Sequence, residues 1–134
     1  MFGKIKLRQT DVLFSQYIRK KNNFVCERCK RIFLNGKGLQ ASHYFGRRHE
    51  NVRFDEENVS CLCIGCHRFF HENPNEYVQW LKRKLGKKKF DLLEIRAATY
   101  KKRDDKLDVI IIKKLLEEYE HKTIKKYEKN KNNF

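Results

Sequence analysis

The chain has 134 residues, enough for one small domain with an appendage, and its 40% hydrophobic and 13% aromatic content excludes a wholly disordered protein. Thirty-two Lys and Arg residues against 17 acidic ones give a formal net charge of +15, which favours nucleic acid as a partner over an ordinary solvated basic surface. No stretch approaches the roughly 20 apolar residues of a membrane helix and no signal peptide is visible, so we expect no membrane association and a cytoplasmic protein.

Thr10 begins the first predicted helix. It is a residue type that caps helices, and apolar residues after it recur at spacings of three and four: Leu13, Phe14, Tyr17 and Ile18. We expect this helix to end near Asn22 and Asn23. The segment Phe24–Cys29 is predicted to be a short strand that enters a tight metal-binding turn, and Asn35–Gly38, with two glycines, is predicted to be a loop.

Two strands and a helix are predicted in the middle of the chain. Leu39–Phe45 has extended character and is followed by a basic turn over residues 46–49. A polar connection over Phe54–Asn58 leads to a second strand, Val59–Ile64. This strand runs into a helix that begins near Cys66.

The next predicted helix begins with Pro74, which suits a first helical turn, and is closed by Gly86. Its inward positions are Tyr77, Trp80, Leu81 and Leu85. A run of three lysines follows and is predicted to be an exposed link that attracts the DNA backbone without specificity: Lys87, Lys88 and Lys89.

Two more helices are predicted in the last third of the chain. A short amphipathic helix spans Phe90–Thr99, and a longer one begins near Asp104. The apolar positions of the longer helix are Val109, Ile112, Leu116 and Tyr119. We expect residues 1–100 to form one domain and residues 101–134 a basic helical extension, which either folds back onto the domain or pairs with a second copy in a homodimer.

Four of the five cysteines fall into two C-x-x-C pairs, Cys26/Cys29 and Cys63/Cys66. Together the pairs supply four soft thiolates for a tetrahedral zinc site that is closed to water and therefore structural. Disulfides explain the pattern less well, because this arrangement suits a reducing compartment. The fifth, Cys61, is predicted to be a small buried hydrophobe, with an exchange of roles with Cys63 left open.

A second set of residues surrounds the later cysteine pair: His43, Asn58, His67 and His71. The last two, four residues apart, share one helix face, which is the geometry for joint binding of a metal ion. The order of the set resembles the HNH (ββα-metal) endonuclease superfamily, in which a strand presents a histidine, a loop an asparagine and a following helix a metal-binding histidine.

A narrower resemblance, over roughly residues 10–100, is to phage NinG-like recombination endonucleases. The segments that carry it are Asp11–Arg19, Cys26-x-x-Cys29, Ala41–His49 and Cys63–His67. The resemblance implies an α+β fold in which a small zinc-stapled ββα-metal (HNH) core is flanked by helices and followed by a C-terminal helical extension. It implies a metal-dependent DNA endonuclease that leaves 5′-phosphate and 3′-hydroxyl ends, with branched recombination or replication intermediates as substrates.

The resemblance also assigns roles to single residues. His43 would be the general base, and His67 with His71 would hold a catalytic divalent cation against the scissile phosphate. Asn58 would pin a loop or orient the base through a hydrogen bond. Three arginines would clamp phosphate oxygens: Arg47, Arg48 and Arg53.

Ser42 departs from the family pattern. Many HNH enzymes place an acidic residue or a histidine before the base as a metal ligand, so here water, Ser42 itself or His49 would have to complete the shell. We expect Mg²⁺ or Mn²⁺ as a loosely bound working metal. The alternative function is a non-catalytic zinc-containing module that binds nucleic acid, with Ser42 marking decay of the metal site.

Overall fold

The computed structural model describes residues 6–99 and 102–131, and side chains as far as residue 120. Within these ranges the chain is a small α+β protein in which helices surround a two-stranded sheet. In chain order its elements are α1 (Gln9–Lys21), β1 (Leu39–His43), β2 (Val59–Cys63), α2 (Ile64–Glu72), α3 (Pro74–Leu85), α4 (Lys87–Ala98) and α5 (Asp105–Lys131).

Helix α1 begins one residue after Arg8, not at Thr10 as predicted. The carboxylate of Asp11 accepts the backbone N–H of Arg8 at 2.8 Å, which satisfies a donor that the helix leaves unpaired at its start. Thr10 instead lies buried in the first turn. The predicted end is confirmed, because the Asn22 side chain donates to the carbonyl of Ile18 at 2.8 Å as the helix terminates.

Strands β1 and β2 pair in antiparallel register, with Leu39 opposite Cys63 and His43 opposite Val59. Both strands were predicted, but β1 ends two residues before Phe45. After His43 the chain turns around Asn58, whose backbone carbonyl accepts the N–H of Tyr44 at 2.9 Å. Helix α2 starts at the residue after β2, so two strands and a helix follow one another with His43 at the end of the first strand.

Helices α3 and α4 are separated by Gly86 alone. This glycine has a φ of 83°, a backbone conformation that a residue with a side chain rarely adopts, and it lets the chain turn from one helix directly into the next. Its carbonyl already accepts the N–H of Phe90 at 3.0 Å. The prediction of a basic link over residues 87–89 is therefore wrong, because these exposed lysines form the first turn of α4.

Two apolar clusters hold the helices to the sheet. The larger joins α1, both strands, α2, α3 and α5, and its members include Phe14, Ile18, Leu62, Phe70 and Ile112. The smaller lies under α3 and α4 and contains Val52, Leu81, Phe90, Leu93 and Ala97. Because Ile112 is only 3% exposed, α5 folds back onto the rest of the molecule, one of the two arrangements predicted for it.

None of the helices in the described part of the chain is long and apolar enough to cross a membrane. The boundary near residue 100 between a nuclease domain and an extension stays a prediction.

Candidate functional site

The four paired cysteines meet at one point, as predicted. Cys26 and Cys29 lie in the turn after α1, Cys63 ends β2, and Cys66 lies in the first turn of α2. All four sulfur atoms lie within 4.8 Å of one another, and the Sγ atoms of Cys29 and Cys63 are 3.9 Å apart. Zn–S bonds of about 2.3 Å in a tetrahedron separate sulfurs by about 3.8 Å, so the cluster fits a structural zinc ion.

The turn over residues 26–29 is built by left-handed backbone, not by the strand predicted for Phe24–Cys29. Phe24 and Lys30 have positive φ values of 59° and 64°, and only Val25 forms a β-bridge, to Ile32. The turn closes when the Lys30 N–H donates to the carbonyl of Cys26 at 2.9 Å. The two sulfur atoms of this turn lie within 4.8 Å of each other.

Hydrogen bonds stabilise negative charge on the sulfurs. The backbone N–H of Cys63 donates to Cys26 Sγ, and that of Cys66 donates to Cys63 Sγ, each at 3.4 Å. Burial alone would raise the pKa of Cys26, but the backbone N–H groups of Cys29, Cys63 and Arg28 lower it to about 7. Burial raises the pKa of Cys66 to about 12, although Arg28 Nη1 donates to its sulfur at 3.4 Å. A bound dication would bring all four sulfurs to the thiolate form.

Cys61 lies outside the sulfur cluster. It is fully buried in β2, and burial raises the pKa of its thiol to about 12, so it behaves as the small hydrophobe that was predicted. Its backbone N–H donates to the Glu27 carboxylate at 2.6 Å, and its carbonyl accepts the Glu27 N–H at 2.8 Å. These two bonds fasten the first cysteine turn to the edge of the sheet.

Three histidines line one open cavity of about 240 Å³. His43 enters it from the end of β1, and His67 and His71 enter it from successive turns of α2. The aromatic part of the wall includes Tyr44 and Tyr77. The sequence separates His43 from His71 by 28 positions (71 − 43), and the fold brings them together because β2 returns antiparallel to β1 and leads straight into α2.

The ring of His43 is held by one nitrogen and has an available lone pair on the other. Its Nε2 lies 2.8 Å from the carbonyl oxygen of Arg53, which can only accept, so Nε2 carries the proton and Nδ1 is the acceptor. Nδ1 is buried and has no hydrogen-bond partner among the described residues. Burial, followed by the positive charge of Arg47, lowers the pKa of His43 to about 4, so the ring is neutral near pH 7.

Asn58 holds the loop that follows His43. It is fully buried, its Oδ1 accepts the N–H of Phe45 at 2.8 Å, and its Nδ2 donates to the carbonyls of Phe45 and Val52 at 2.9 and 3.0 Å. Of the two roles that the resemblance implies for Asn58, these bonds match the pinning of the loop. Its effect on His43 is indirect, through the chain between β1 and Arg53.

His67 is paired with a residue that the sequence reasoning missed. Its Nδ1 lies 2.5 Å from Oε1 of Gln40 in β1. Burial, followed by the nearby His71 and Arg47, lowers the pKa of His67. Strand alternation places Gln40 on the same side of β1 as Ser42 and on the opposite side from His43, so no local pattern pointed to Gln40 as a partner of His67.

Ser42 and His49, the two side chains considered as additional metal ligands, are both bonded to other parts of the protein. Ser42 is 1% exposed, and its Oγ lies 2.8 Å from the hydroxyl of Tyr77. His49 donates from Nδ1 to the carbonyl of Ala97 at 3.2 Å and packs against Phe45. In the part of the chain that is described, the cysteines are the only group of three or more Cys, His, Asp or Glu side chains placed to share an ion.

Arg53 was predicted to contact phosphate at the surface, but this prediction is wrong because Arg53 is buried. Its guanidinium is 1% exposed and donates to both carboxylate oxygens of Asp11, at 2.9 and 2.6 Å. It also donates to Glu50 at 3.2 Å and to the carbonyls of Arg47 and Lys6. These partners occupy its donors and make it a structural residue of the loop after β1.

The other predicted phosphate contacts are at the surface. Arg47 is partly exposed, with Nε 3.4 Å from Asp11, and its charge acts on the pKa values of both His43 and His67. Arg48 is exposed and lines, with Arg47, a larger cavity of about 540 Å³. The lysines at positions 87–89 lie on the exposed start of α4, where Lys87 is 3.5 Å from Asp91.

Of three comparisons with known proteins, one finds a match. No curated protein and no solved structure matches the chain. A family model, described as bacteriophage lambda NinG protein, matches residues 5–130, which includes nearly all of α5 as well as the motifs expected to carry the resemblance. Since this match spans almost the whole length, the chain belongs to the bacteriophage lambda NinG family.

Proposed function

We propose that this protein is a metal-dependent DNA endonuclease of the HNH type. The observation that carries the proposal is the single cavity lined by His43, His67 and His71. The strand–strand–helix order around it is the one expected of a ββα-metal core, and the formal charge of +15 suits a polyanionic substrate. The resemblance to phage recombination endonucleases adds branched DNA as the proposed substrate.

In the proposed reaction His43 is the general base. Its Nδ1 takes a proton from a water molecule as the water oxygen forms a bond to phosphorus, and the bond from phosphorus to the 3′ oxygen breaks. The departing 3′ oxygen gains a proton from solvent, which leaves a 3′-hydroxyl and a 5′-phosphate. The buried, unpartnered Nδ1 supports this role, because a polar atom of that kind is normally satisfied by a bound water.

His67 and His71 are the proposed ligands of a divalent cation. When bound, such a cation stabilises the negative charge that develops on the departing 3′ oxygen. Two imidazoles with open positions around them fit Mn²⁺, whereas Mg²⁺ prefers oxygen ligands and would depend on the phosphate itself. Arg47, whose charge reaches both His43 and His67, would contact the scissile phosphate from the loop side.

A plasmid-nicking assay tests the proposal, with Mg²⁺, Mn²⁺ or Ni²⁺ and an EDTA control. We expect the zinc-loaded protein to nick DNA with at least one of these ions, and His43→Ala to lose about 100-fold or more of that activity while it still binds DNA. The matched control is His49→Ala, since His49 faces α4 and not the cavity. Full activity in His43→Ala would overturn the mechanism.

A non-catalytic zinc module that binds nucleic acid is the second candidate. The observation that favours it is Ser42, which stands in the position of a family metal ligand and bonds to Tyr77 instead. This function predicts binding that weakens steeply with salt and no nicking with any of the three ions. The nicking assay therefore separates the two candidates.

A further inference from the structure

We propose that Gln40 is a positioning residue that fixes His67 as the Nδ1–H tautomer and so presents its Nε2 lone pair to a divalent cation. This inference rests on the proposed function, because it concerns the same cation. Gln40 itself would touch neither the cation nor DNA; it would act through the imidazole. Nothing in the sequence motifs singled it out.

The contact joins two elements that carry different parts of the site. Gln40 is the second residue of β1, three residues before His43, and His67 lies in the first turns of α2. Their side chains meet at 2.5 Å across 27 positions of sequence. The bond therefore ties the strand that presents the proposed base to the helix that presents the proposed ligands.

The chemistry of the two partners fixes the tautomer. Oε1 of an amide can only accept a hydrogen bond, so the His67 Nδ1 that it contacts must carry the proton. In a neutral imidazole the other nitrogen then holds the lone pair, and a metal ion binds through that lone pair. Histidine ligands in proteins commonly donate their second N–H to an oxygen acceptor in this way, which orients the ring as well as choosing its tautomer.

A second polar contact lies on the same side of β1 as Gln40. Ser42, two residues further along the same side of β1, is bonded to Tyr77 of α3. One side of the strand thus makes polar contacts with successive helices, Gln40 with α2 and Ser42 with α3. Because Ser42 is engaged in this way, the orientation of His67 matters more to the cation than it would in a site with a third protein ligand.

Nitrogen-15 NMR of the zinc-loaded protein tests the tautomer directly. We expect His67 to be protonated on Nδ1 in the wild-type protein and to become a mixture of tautomers in Gln40→Ala. Gln40 is exposed, so this variant should retain the fold and its zinc. A wild-type His67 protonated on Nε2, or an unchanged tautomer in Gln40→Ala, would overturn the inference.

Titration with Mn²⁺ tests the consequence for the cation. Mn²⁺ binds thiolates too weakly to displace zinc from the cysteine cluster, so calorimetry would report the histidine site. We expect Gln40→Ala to weaken Mn²⁺ binding about 10-fold to 100-fold, and Gln40→Glu to retain or tighten it, since a carboxylate makes the ring a stronger donor. The matched control is Gln16→Ala, an exposed glutamine on α1. Equal affinity in Gln40→Ala and wild type would overturn the inference.

The two proposals fail in different ways. A wild-type protein that binds Mn²⁺, loses affinity in Gln40→Ala and yet nicks no DNA would overturn the endonuclease and support the positioning role. If the wild-type protein nicks DNA and Gln40→Ala binds Mn²⁺ as tightly as the wild type, the positioning role is overturned and the endonuclease is supported.

Discussion

His43 is held by a backbone carbonyl, and not by the carboxylate that often orients a catalytic histidine. The carbonyl belongs to Arg53, whose own guanidinium is fixed by Asp11 of α1. In the loop between His43 and Arg53, the side chain of Asn58 accepts one backbone hydrogen bond and donates two. At the scale of single residues, the proposed base therefore depends on buried polar side chains that never reach the cavity.

The lowered pKa of His43 predicts a dependence of stability on pH. In the folded protein the pKa is about 4, and in the unfolded chain it is about 6.5, so between these values only the unfolded state binds the proton. The free energy of unfolding should therefore fall as the pH drops through this window, by about 1 kcal/mol between pH 7 and pH 5.5 on account of this group.

Urea unfolding of the zinc-loaded protein at several pH values measures this effect. His43→Asn removes the titrating group, so its stability should change less with pH than that of the wild type. If the free energy of unfolding changes with pH equally in the two proteins, the lowered pKa of His43 is contradicted.

At the scale of elements, the cysteine cluster joins the turn after α1, the end of β2 and the start of α2. The same turn is fastened to β2 by Glu27, whose carboxylate also accepts from Lys84 of α3 at 2.7 Å. The guanidinium of Arg28 lies over the ring of Phe69 at 4.0 Å and donates to Cys66. A zinc ion bound to the cysteines would thus hold α2, the helix that also carries His67 and His71.

Removal of zinc tests this link. We expect about one zinc ion per chain, and loss of tertiary structure when a chelator extracts it, since the Zn–S bonds that would join the turn after α1, β2 and α2 are then lost. Cys26→Ser should lower the zinc content and the melting temperature. Cys61→Ala is the matched control, because that cysteine is equally buried but lies outside the cluster. Full zinc content in Cys26→Ser, measured by metal analysis, would rule out the proposed ligand set.

At the scale of the whole molecule, the main feature is the packing of α5 against α1. Ile112 is buried in the larger apolar cluster, while Ile110 on the same helix is 63% exposed. Exposed ion pairs accompany this packing, among them Lys20 with Glu120 at 2.7 Å, and these contribute little to stability in water. Apolar burial is therefore what holds α5 in place.

Replacement of these two isoleucines tests the docking of α5. Ile112→Ala should lower the free energy of unfolding by about 2–4 kcal/mol, because it leaves a cavity in the core. Ile110→Ala should change it by less than about 0.5 kcal/mol, since that side chain already faces solvent. Chemical denaturation measures both. A similar small change in the two variants would mean that α5 does not stabilise the fold in solution.

The homodimer expected through α5 stays a prediction, and this helix has exposed apolar residues. Leu107 and Ile110 are both more than half exposed on this helix. Sedimentation of the zinc-loaded protein would determine its oligomeric state. Within the described part of the chain, α5 makes most of its contacts with α1.

The sequence by itself determined the features that depend on local spacing. Two C-x-x-C pairs predicted the four-sulfur cluster, Pro74 and Gly86 marked the ends of α3, and the extended character of Leu39–Phe45 predicted a strand. Each of these signals lies within a few residues of the feature that it predicts. Helix and strand periods, capping and turn chemistry are local, which is why they can be read without the fold.

Tertiary structure decided which side chains are available. Arg53 and Arg48 look alike in the sequence, but Arg53 is buried because it pairs with the carboxylate of Asp11, 42 positions away, while Arg48 is exposed.

The polar contacts of β1 also depend on the fold. Gln40 lies beside His67, and Ser42 bonds to Tyr77, only because β1 packs against α2 and α3. These outcomes rest on contacts between residues far apart in the chain, and no local pattern records which polar side chain will meet which partner.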